Sequence, residues 1–137
     1  MMTECKELEG IIKDYATGIQ HVGIPTQDME TTVAFYKKLG FEIAYETVFD
    51  GDRVVFLKLK NLVVETYEVE SAKMEYGAID HVAIDVVDVE KVYQKICGLG
   101  LNTLGDEIHY LPFWEHGVRY FTIEGPNKER LEFSQFL

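Results

Sequence analysis

The sequence predicts an α+β fold in which two tandem βαβββ modules pair into one curved, mixed sheet that forms a cup. The main observation is an internal repeat, because residues 18–42 align without a gap with residues 78–102 and share eight identities. Ordinary composition would give about one or two identities over such a window. The identical pairs are Ile19/Ile79, His21/His81, Val22/Val82, Ile24/Ile84, Asp28/Asp88, Glu30/Glu90, Leu39/Leu99 and Gly40/Gly100.

The first module spans residues 18–70 and opens with a strand at Ile19–Pro25. Asp28 is a residue type that caps helix N-termini and Gly40 one that ends helices, so a helix is predicted between them. Apolar runs separated by short polar turns predict three further strands, at Phe41–Phe49, Val54–Lys60 and Leu62–Val69.

The second module spans residues 77–137 and repeats this order. Its predicted elements are a strand at Ile79–Val86, a helix at Val89–Cys97 and strands at Leu101–Tyr110, Val118–Ile123 and Arg130–Phe136. An aromatic loop over residues 111–117 interrupts the module, and residues 125–127 predict a tight turn. A short amphipathic helix at Thr3–Asp14 is expected in an accessory segment, residues 1–17, that precedes the single domain of residues 18–137.

Composition excludes several classes of protein. With 137 residues and 47% hydrophobic content, the chain is long enough for one domain with a packed core. A net charge of -11 argues against nucleic acid or an anionic membrane as the partner, because both would repel it. No apolar run approaches the roughly 18 residues of a transmembrane helix. The absence of a signal-peptide pattern and of a CxxC motif favours a reducing cytoplasm.

Two histidines and two glutamates occupy equivalent strand positions in the two modules: His21 with His81, and Glu65 with Glu132. Strand alternation places all four on the face that points away from the helices. Imidazole and carboxylate donors suit Zn, Ni, Co, Mn or Fe(II), and a set without thiolates leaves positions open for substrate. A lone His or Glu on a strand is more often a core or solvent-facing residue. Four such residues at repeat-equivalent positions favour a metal site.

These residues lie in motifs that resemble the vicinal oxygen chelate superfamily, which includes glyoxalase I, methylmalonyl-CoA epimerase, extradiol dioxygenases, fosfomycin-modifying transferases and bleomycin-resistance proteins. The motifs are His21–Ile24, Phe35–Phe41, Val63–Glu65, Asp80–Ala83 and Arg130–Phe133. The resemblance to glyoxalase I implies the ligand set His21, Glu65, His81 and Glu132 for a divalent ion, with Zn, Ni or Co expected. Epimerases resemble this set except for a Gln at the position of Glu65.

The resemblance implies a metal-dependent lyase or isomerase of the lactoylglutathione lyase type, acting on a small carbonyl or thiol-adduct substrate. Glu132 is expected to be both ligand and general base, and Glu65 the more constant ligand, although the pseudo-symmetry allows the two roles to be exchanged. Bacterial glyoxalase I enzymes have an Arg and an Asn as glutathione contacts where this chain has Pro25 and Val69. A methylmalonyl-CoA epimerase-like isomerase, with Glu46 as a second catalytic Glu, and a non-catalytic drug- or metabolite-binding protein of the bleomycin-resistance type remain the alternatives.

Five further residues are candidates for substrate binding. Arg53 and Arg119 occupy matching strand positions where they could grip a carboxylate, or equally form surface ion pairs. Phe113, Trp114 and His116 belong to the aromatic loop, where they could line a pocket or simply pack. A homodimer is expected, because the open cup leaves sheet edges that a second chain can cover, and the cup is formed within one chain or across two.

Overall fold

The computed structural model describes residues 9–75, 77–124 and 130–137. The chain forms two compact units. The first unit is Gln20–Val82, and the second consists of the described residues from Ala83 onward together with those before Gln20. The turn predicted at residues 125–127 and the first part of the predicted N-terminal helix, residues 3–8, lie outside the described residues.

Secondary structure follows the order βαβββ twice, which confirms the predicted α+β fold class. The elements are β1 (Ala16–Thr26), α1 (Met29–Leu39), β2 (Glu42–Phe49), β3 (Asp52–Leu59), β4 (Leu62–Glu68), β5 (His81–Val86), α2 (Val89–Gly98), β6 (His109–Leu111), β7 (Val118–Glu124) and β8 (Arg130–Phe136). Neither of these helices is long and apolar enough to cross a membrane.

The first unit places its strands in the order β2–β3–β4–β1. The first three are antiparallel neighbours, whereas β1 pairs with β4 in parallel, with Gly23 opposite Glu65. On one face of these strands, α1 packs over a core of Met29, Phe41, Val55, Leu57 and Val64. Because successive side chains alternate between faces, Glu65 lies on the opposite face from its neighbour Val64.

The second unit orders its strands β5–β8–β7–β6. Its core is formed by α2 and the strand residues that face it: Val86, Val89, Val92, Ile96, Phe121, Ile123 and Phe133. Ile11, Ile12 and Tyr15 of the N-terminal segment pack against the same core. Glu132 pairs with Thr122 across β7 and β8, so both lie on the face opposite α2.

The helix caps show how closely the repeat is preserved. The side chain of Asp28 accepts a hydrogen bond from the Thr31 amide at 3.1 Å, and Asp88 does the same from the Lys91 amide at 3.1 Å. The two cap residues have φ/ψ values of -145°/89° and -148°/87°. Gly40 ends α1 at φ 108°, a left-handed conformation that glycine adopts without a steric penalty. Identical residues therefore produce nearly identical backbone in the two copies.

Two predicted elements differ from the structure. Residues 9–15 form a bend followed by turns, so the described part of the predicted N-terminal helix is not helical. Of the strand predicted at Leu101–Tyr110 in the second module, only the end forms a strand, as part of His109–Leu111, and the rest is an irregular loop. The equivalent segment of the first module is the regular strand β2, so this loop is the point where the two copies diverge.

Asp106 accounts for the irregular conformation of this loop, because it takes part in five hydrogen bonds that hold the loop in place. Its carboxylate lies 2.6 Å from His109 Nε2 and accepts a second bond from the Thr122 amide at 2.8 Å. Its amide donates to Asn102 Oδ1 at 3.1 Å, and its carbonyl accepts from Asn102 Nδ2 and Tyr93 Oη, each at 2.8 Å. These bonds satisfy the loop backbone locally, in place of a strand ladder.

We expect Asp106→Asn to lower the free energy of unfolding by about 1.5–3 kcal/mol at pH 7, the range for hydrogen bonds to a charged group. Burial raises the pKa of Asp106, but bonds from His109 and the Thr122 and Glu107 amides outweigh it and lower the pKa. The stabilisation is therefore present above the unfolded pKa of about 4 and is lost as the pH falls through the native pKa.

Urea unfolding at about pH 7 and pH 3 measures this effect. The difference in stability between the variant and the wild type should narrow at the lower pH. Glu107→Gln removes an exposed charge next to Asp106 and should unfold like the wild type at pH 7. A difference that stays the same at both pH values would contradict the assignment of the effect to the Asp106 carboxylate.

Candidate metal centre

The first unit brings three of the four predicted metal ligands together. His21 Nε2 lies 3.0 Å from His81 Nε2. Glu65 Oε1 lies 3.3 Å from the first of these nitrogens and 3.4 Å from the second. The ligand atoms of all three residues lie within 4.8 Å of one another. The cluster therefore consists of two nitrogen donors and one carboxylate oxygen that converge on one point.

The strand register positions these side chains. β1 and β4 run in parallel with Gly23 opposite Glu65, and His21 shares the face of Gly23 because it is two residues earlier. The Asp80 amide donates to the Gly23 carbonyl at 2.7 Å, which holds the start of β5 against β1. A Cβ atom at position 23 would overlap the ring of His81. Glycine is required there because the imidazole lies directly over the backbone of β1.

Each histidine is held by the residue that precedes it. His21 Nδ1 lies 2.9 Å from Gln20 Oε1, and His81 Nδ1 lies 2.8 Å from Asp80 Oδ2. An ionised carboxylate only accepts hydrogen bonds, so His81 must donate its Nδ1–H and present Nε2 to the cluster. This is the arrangement that orients metal-binding imidazoles in proteins. The strand pattern did not predict either supporting residue, although both occupy repeat-equivalent positions immediately before the histidines.

The electrostatics of the cluster favour a cation. His21 and the side chain of Glu65 are largely buried, at 5% and 12% exposure. Burial raises the pKa of Glu65, but hydrogen bonds and charge from His21 and His81 outweigh it and lower the pKa to about 2. Glu65 is thus ionised at neutral pH, and its oxygen faces two ring nitrogens whose other nitrogens are already bonded. A positive charge between these three atoms, whether a ring proton or a metal ion, stabilises the ionised carboxylate.

The distances fit a divalent metal ion. Donor atoms that each lie about 2.1 Å from one ion, at angles of about 90–110°, are about 3.0–3.4 Å apart. The three separations in the cluster are 3.0, 3.3 and 3.4 Å. Two imidazoles and a carboxylate suit Zn²⁺, Ni²⁺ or Co²⁺, and three donors leave coordination positions open.

Aromatic side chains adjoin the cluster on the same face. Phe56 pairs with Glu65 across β3 and β4 and presents its ring edge-on to His21, with centroids 5.8 Å apart. Tyr45 pairs with Phe56 across β2 and β3, with ring centroids 6.1 Å apart. These rings give the cluster a wall of low polarity, which strengthens the electrostatic interactions inside it. Glu46 pairs instead with the core residue Val55 and so lies on the helix side, away from Glu65.

Glu132, the fourth predicted ligand, belongs to the second unit. It is 9% exposed and lies opposite Thr122, on the face away from α2. Glu65 has the matching position in the first unit, opposite Phe56 and away from α1. The structure therefore agrees with the predicted strand parity of Glu132, and its role as a ligand stays a prediction.

The two candidate arginines lie on the helix sides of their own units. Arg53 has the parity of Val55, and its Nη1 lies 2.6 Å from Glu30 Oε1 of α1. Arg119 makes the equivalent pair with Glu90 of α2 at 2.8 Å. This geometry corresponds to the surface ion pairs considered as the alternative, and it turns Arg53 away from the Glu65 face.

The aromatic loop residues all belong to the second unit. Phe113 is buried at 4% exposure, so it packs in the interior. Trp114 has a positive φ of 64° and meets Phe136 edge-on, with ring centroids 5.6 Å apart. His116 is exposed and lies 3.6 Å from Glu115. Their predicted role in substrate binding stays a prediction.

The sequence of residues 18–133 matches the Glyoxalase/Bleomycin resistance protein/Dioxygenase superfamily. The chain belongs to this superfamily, which confirms the resemblance found in its motifs. The superfamily includes metal-dependent enzymes, among them glyoxalases, methylmalonyl-CoA epimerase and catechol dioxygenases.

Individual relatives are distant. The chain is 28% identical over 127 residues to the uncharacterized protein YwbC of Bacillus subtilis, a match that covers 88% of this chain and 98% of YwbC. It is similar in structure to methylmalonyl-CoA epimerase from Mycobacterium tuberculosis, with a TM-score of 0.67, 17% identity and 90% of each chain covered. The Mn(II)-bound glyoxalase from Novosphingobium aromaticivorans gives a TM-score of 0.61 at 20% identity, over 88% of this chain and 39% of that one. These structural similarities establish the fold.

We expect Gly23→Ala to weaken metal binding at least tenfold, because the added methyl group would displace the His81 ring from the cluster. Calorimetric titration of chelator-stripped protein with Ni²⁺ measures the change. Gly98→Ala is the matched control, since a methyl group there meets no atom within 4 Å beyond its chain neighbours and its own helix backbone. Equal affinity in both variants would show that His81 does not need its position over β1.

Asp80→Asn should weaken Ni²⁺ binding by about 10-fold or more, the range for loss of a group that supports a metal-bound histidine. The amide can still accept the Nδ1–H bond, so the ring keeps its orientation and loses basicity. The same titration measures the effect. Asp52→Asn removes an exposed carboxylate from β3 and should bind like the wild type. An unchanged affinity for the Asp80 variant would mean that its carboxylate does not tune His81.

Proposed function

We propose that the protein is a divalent-metal-dependent enzyme of glyoxalase type, a lyase or isomerase that moves a proton on a small carbonyl compound or thiol adduct. One observation carries the proposal: the two Nε2 atoms and one Glu65 oxygen converge at 3.0–3.4 Å, each ring backed by an acceptor at its Nδ1. A protein that only sequesters a drug or metabolite has no use for such a donor set.

In this proposal, His21, Glu65 and His81 hold the ion, and Glu132 is the fourth ligand that the repeat predicts. A divalent ion, when bound, polarises a substrate oxygen and makes the neighbouring carbon–hydrogen bond more acidic. Glu65 contributes a negative charge at neutral pH, since His21 and His81 lower its pKa to about 2. Phe56 and Tyr45 limit the access of water on their side of the cluster.

Glu132 is the proposed general base. It takes the proton from the substrate carbon and returns it to the adjacent or opposite position, which gives an isomerase or a lyase according to the substrate. Its low exposure, 9%, supports this role because it limits the access of bulk water to the carboxylate. Glu65 is the alternative base, because the pseudo-symmetry makes the two glutamates near-equivalent.

The thiol used by the substrate is a separate question. Pro25 and Val69 stand where glutathione contacts are expected, so the proposed substrate is a thiol adduct other than the glutathione adduct, or a carbonyl compound without a thiol. An acyl-thioester epimerase is the second candidate within the same proton-transfer chemistry.

We also propose a homodimer, supported by the exposed Val48 and Phe49 on β2, the outermost strand of the first unit.

Calorimetric titration of the chelator-stripped protein with Ni²⁺, Co²⁺ and Zn²⁺ tests the metal site. We expect one ion per chain, and we expect Glu65→Gln to weaken binding by more than roughly 100-fold, beyond the range for a supporting residue. Glu42→Gln, at an exposed position of β2, is the charge-matched control. Absence of binding to the wild type would overturn the metal-dependent function.

Proton transfer is tested separately, in D₂O with the Ni²⁺-loaded protein. Hemithioacetals of methylglyoxal with several thiols and a chiral acyl thioester are the substrates, and deuterium incorporation at carbon is followed by NMR. A Glu132→Gln variant that retains metal should lose incorporation by about 10²-fold or more. Retention of full turnover in that variant would contradict the assignment of Glu132 as the base and favour Glu65.

A further inference from the structure

The first unit has a pocket of about 290 Å³ beside α1, away from the candidate metal centre. Ile24 of β1 belongs to its wall and also packs against the core under α1, so the pocket lies on the helix side of β1. His21 and Gly23 are on the opposite face of that strand. The apolar lining of the pocket includes Ile24, Phe35, Tyr36, Ala72, Met74 and Ala78.

The internal repeat shows what fills the equivalent space in the second unit. Continued toward the N-terminus at the same spacing of 60 residues, the alignment pairs the segment before β1 with the segment before β5. In the second unit, Ile12 and Tyr15 of the first segment pack against the core under α2. Their counterparts beside α1 are Ala72 and Glu75. A methyl group thus stands where the other copy has a large branched side chain, and this leaves room beside α1.

The two helices are buried to correspondingly different extents. Val92 and Ile96 of α2 are 0% and 3% exposed. Their counterparts in α1 are Thr32 and Tyr36, which are only partly buried and line the pocket. The same helix face is therefore covered in one copy and open in the other, and the pocket is the uncovered space.

The open copy also carries more apolar side chains at this face than the covered one. Phe35 is 56% exposed, and its counterpart in α2 is Lys95, whose ammonium lies 5.8 Å from the centroid of the Tyr15 ring. Met74 is 74% exposed and has a φ of 55°, which residues other than glycine rarely adopt. A helix face that only meets water favours the charged residue. Neighbouring exposed apolar side chains are typical of a binding surface.

The threonine hydroxyls and the ammonium group of the lining already have partners. Thr26 Oγ1 lies 2.8 Å from Thr32 Oγ1, and Thr31 Oγ1 donates at 2.7 Å to the carboxylate that caps α1. Lys73 Nζ lies 3.9 Å from a carboxylate oxygen of Glu75. A ligand in the pocket therefore gains mainly from apolar contact, which favours a neutral molecule because a buried charge would lack a partner.

An aromatic ring would extend a row of rings that is already present. Phe35 meets Tyr36 edge-on with centroids 5.2 Å apart, and Tyr36 meets Phe41 in the same way at 5.1 Å. The exposed Phe35 is the open end of this row, and the thioether of Met74 makes favourable contacts with aromatic rings. The cover of α2 in the second unit is itself partly aromatic, since it includes Tyr15.

We propose that this pocket binds a small neutral aromatic molecule, about one substituted ring in size, in place of the side chains that cover α2 in the second unit. Its volume, about 290 Å³, is close to the lower end of the range for small-molecule sites, about 300–1,000 Å³. The pocket uses the helix side of β1, whereas His21 and Glu65 use the other side. Failure of the metal-dependent function therefore leaves this inference standing, and the reverse also holds.

The test uses p-cresol, which is the tyrosine side chain as a free molecule, with chelator-stripped protein. NMR of the methyl groups of Met74 and Ala78 gives the affinity and the location, and the ring signals of Tyr45 report on the metal side. We expect both methyl signals to shift saturably while the Tyr45 signals stay in place. The saturated analogue, 4-methylcyclohexanol, should bind about two- to tenfold more weakly, the effect of losing one aromatic pair.

Two variants copy the covered module into the open one. Ala72→Ile introduces the residue found at Ile12 and should weaken p-cresol binding by at least about tenfold, because it fills the pocket. Ala34→Ile, the same substitution at an exposed position of α1 outside the lining, is the matched control and should bind like the wild type. Phe35→Lys introduces the residue found at Lys95 and should weaken binding by about threefold or more.

Phe35 is exposed, so its variant is expected to fold and carries the test if Ala72→Ile does not fold. The proposal is overturned if p-cresol gives no saturable shift at Met74 and Ala78, or if Tyr45 shifts in their place. Equal affinity for the saturated analogue, or wild-type affinity in either folded variant, would overturn it as well.

Discussion

The parallel pairing of β1 with β4 is the constraint on which the candidate metal centre depends. It sets Gly23 opposite Glu65, and alternation then puts His21 on the same face. The open space above Gly23 admits the His81 ring, whose backbone is held to β1 by the bond from the Asp80 amide. One register thus fixes three side chains from three strands. A shift by one residue would send His21 and Glu65 to opposite faces.

That register brings together three groups that need a positive charge between them. Each ring has its Nδ1 bonded elsewhere, and the two rings lower the pKa of Glu65, which is therefore ionised. Such a cluster is stable when a proton or a metal ion occupies it. The strand framework and the partners Gln20 and Asp80 hold the donors in place. Preorganisation of this kind is what a metal site needs for tight binding.

Sequence patterns predicted the elements of this site whose causes are local. Strand alternation placed His21, Glu65 and His81 correctly because parity depends only on each strand's own residues. The same rule gives Arg53 the parity of the core residue Val55, which fits the ion-pair alternative for this residue. The supporting roles of Gln20 and Asp80 were not predicted, because alternation places neighbouring residues on opposite faces. It gives no information on hydrogen bonds between adjacent side chains. The loop at residues 101–108 was missed because Asp106 is fixed by Tyr93 and Thr122, which are distant in sequence.

The duplication supplies symmetry, and the departures from it determine what each copy does. The two histidines are equivalent by backbone position, but Asp80 backs one with a charge and Gln20 backs the other with a neutral amide. A charged acceptor increases the basicity of its imidazole, so the two nitrogen donors of the cluster are unequal despite their common origin.

The same reasoning applies to whole segments of the repeat. β2 and the loop at residues 101–108 are equivalent segments, yet one completes a sheet edge and the other places an aspartate–histidine pair beside an open cleft. The repeat therefore determines where functional groups can stand, and single substitutions between the copies determine their chemistry.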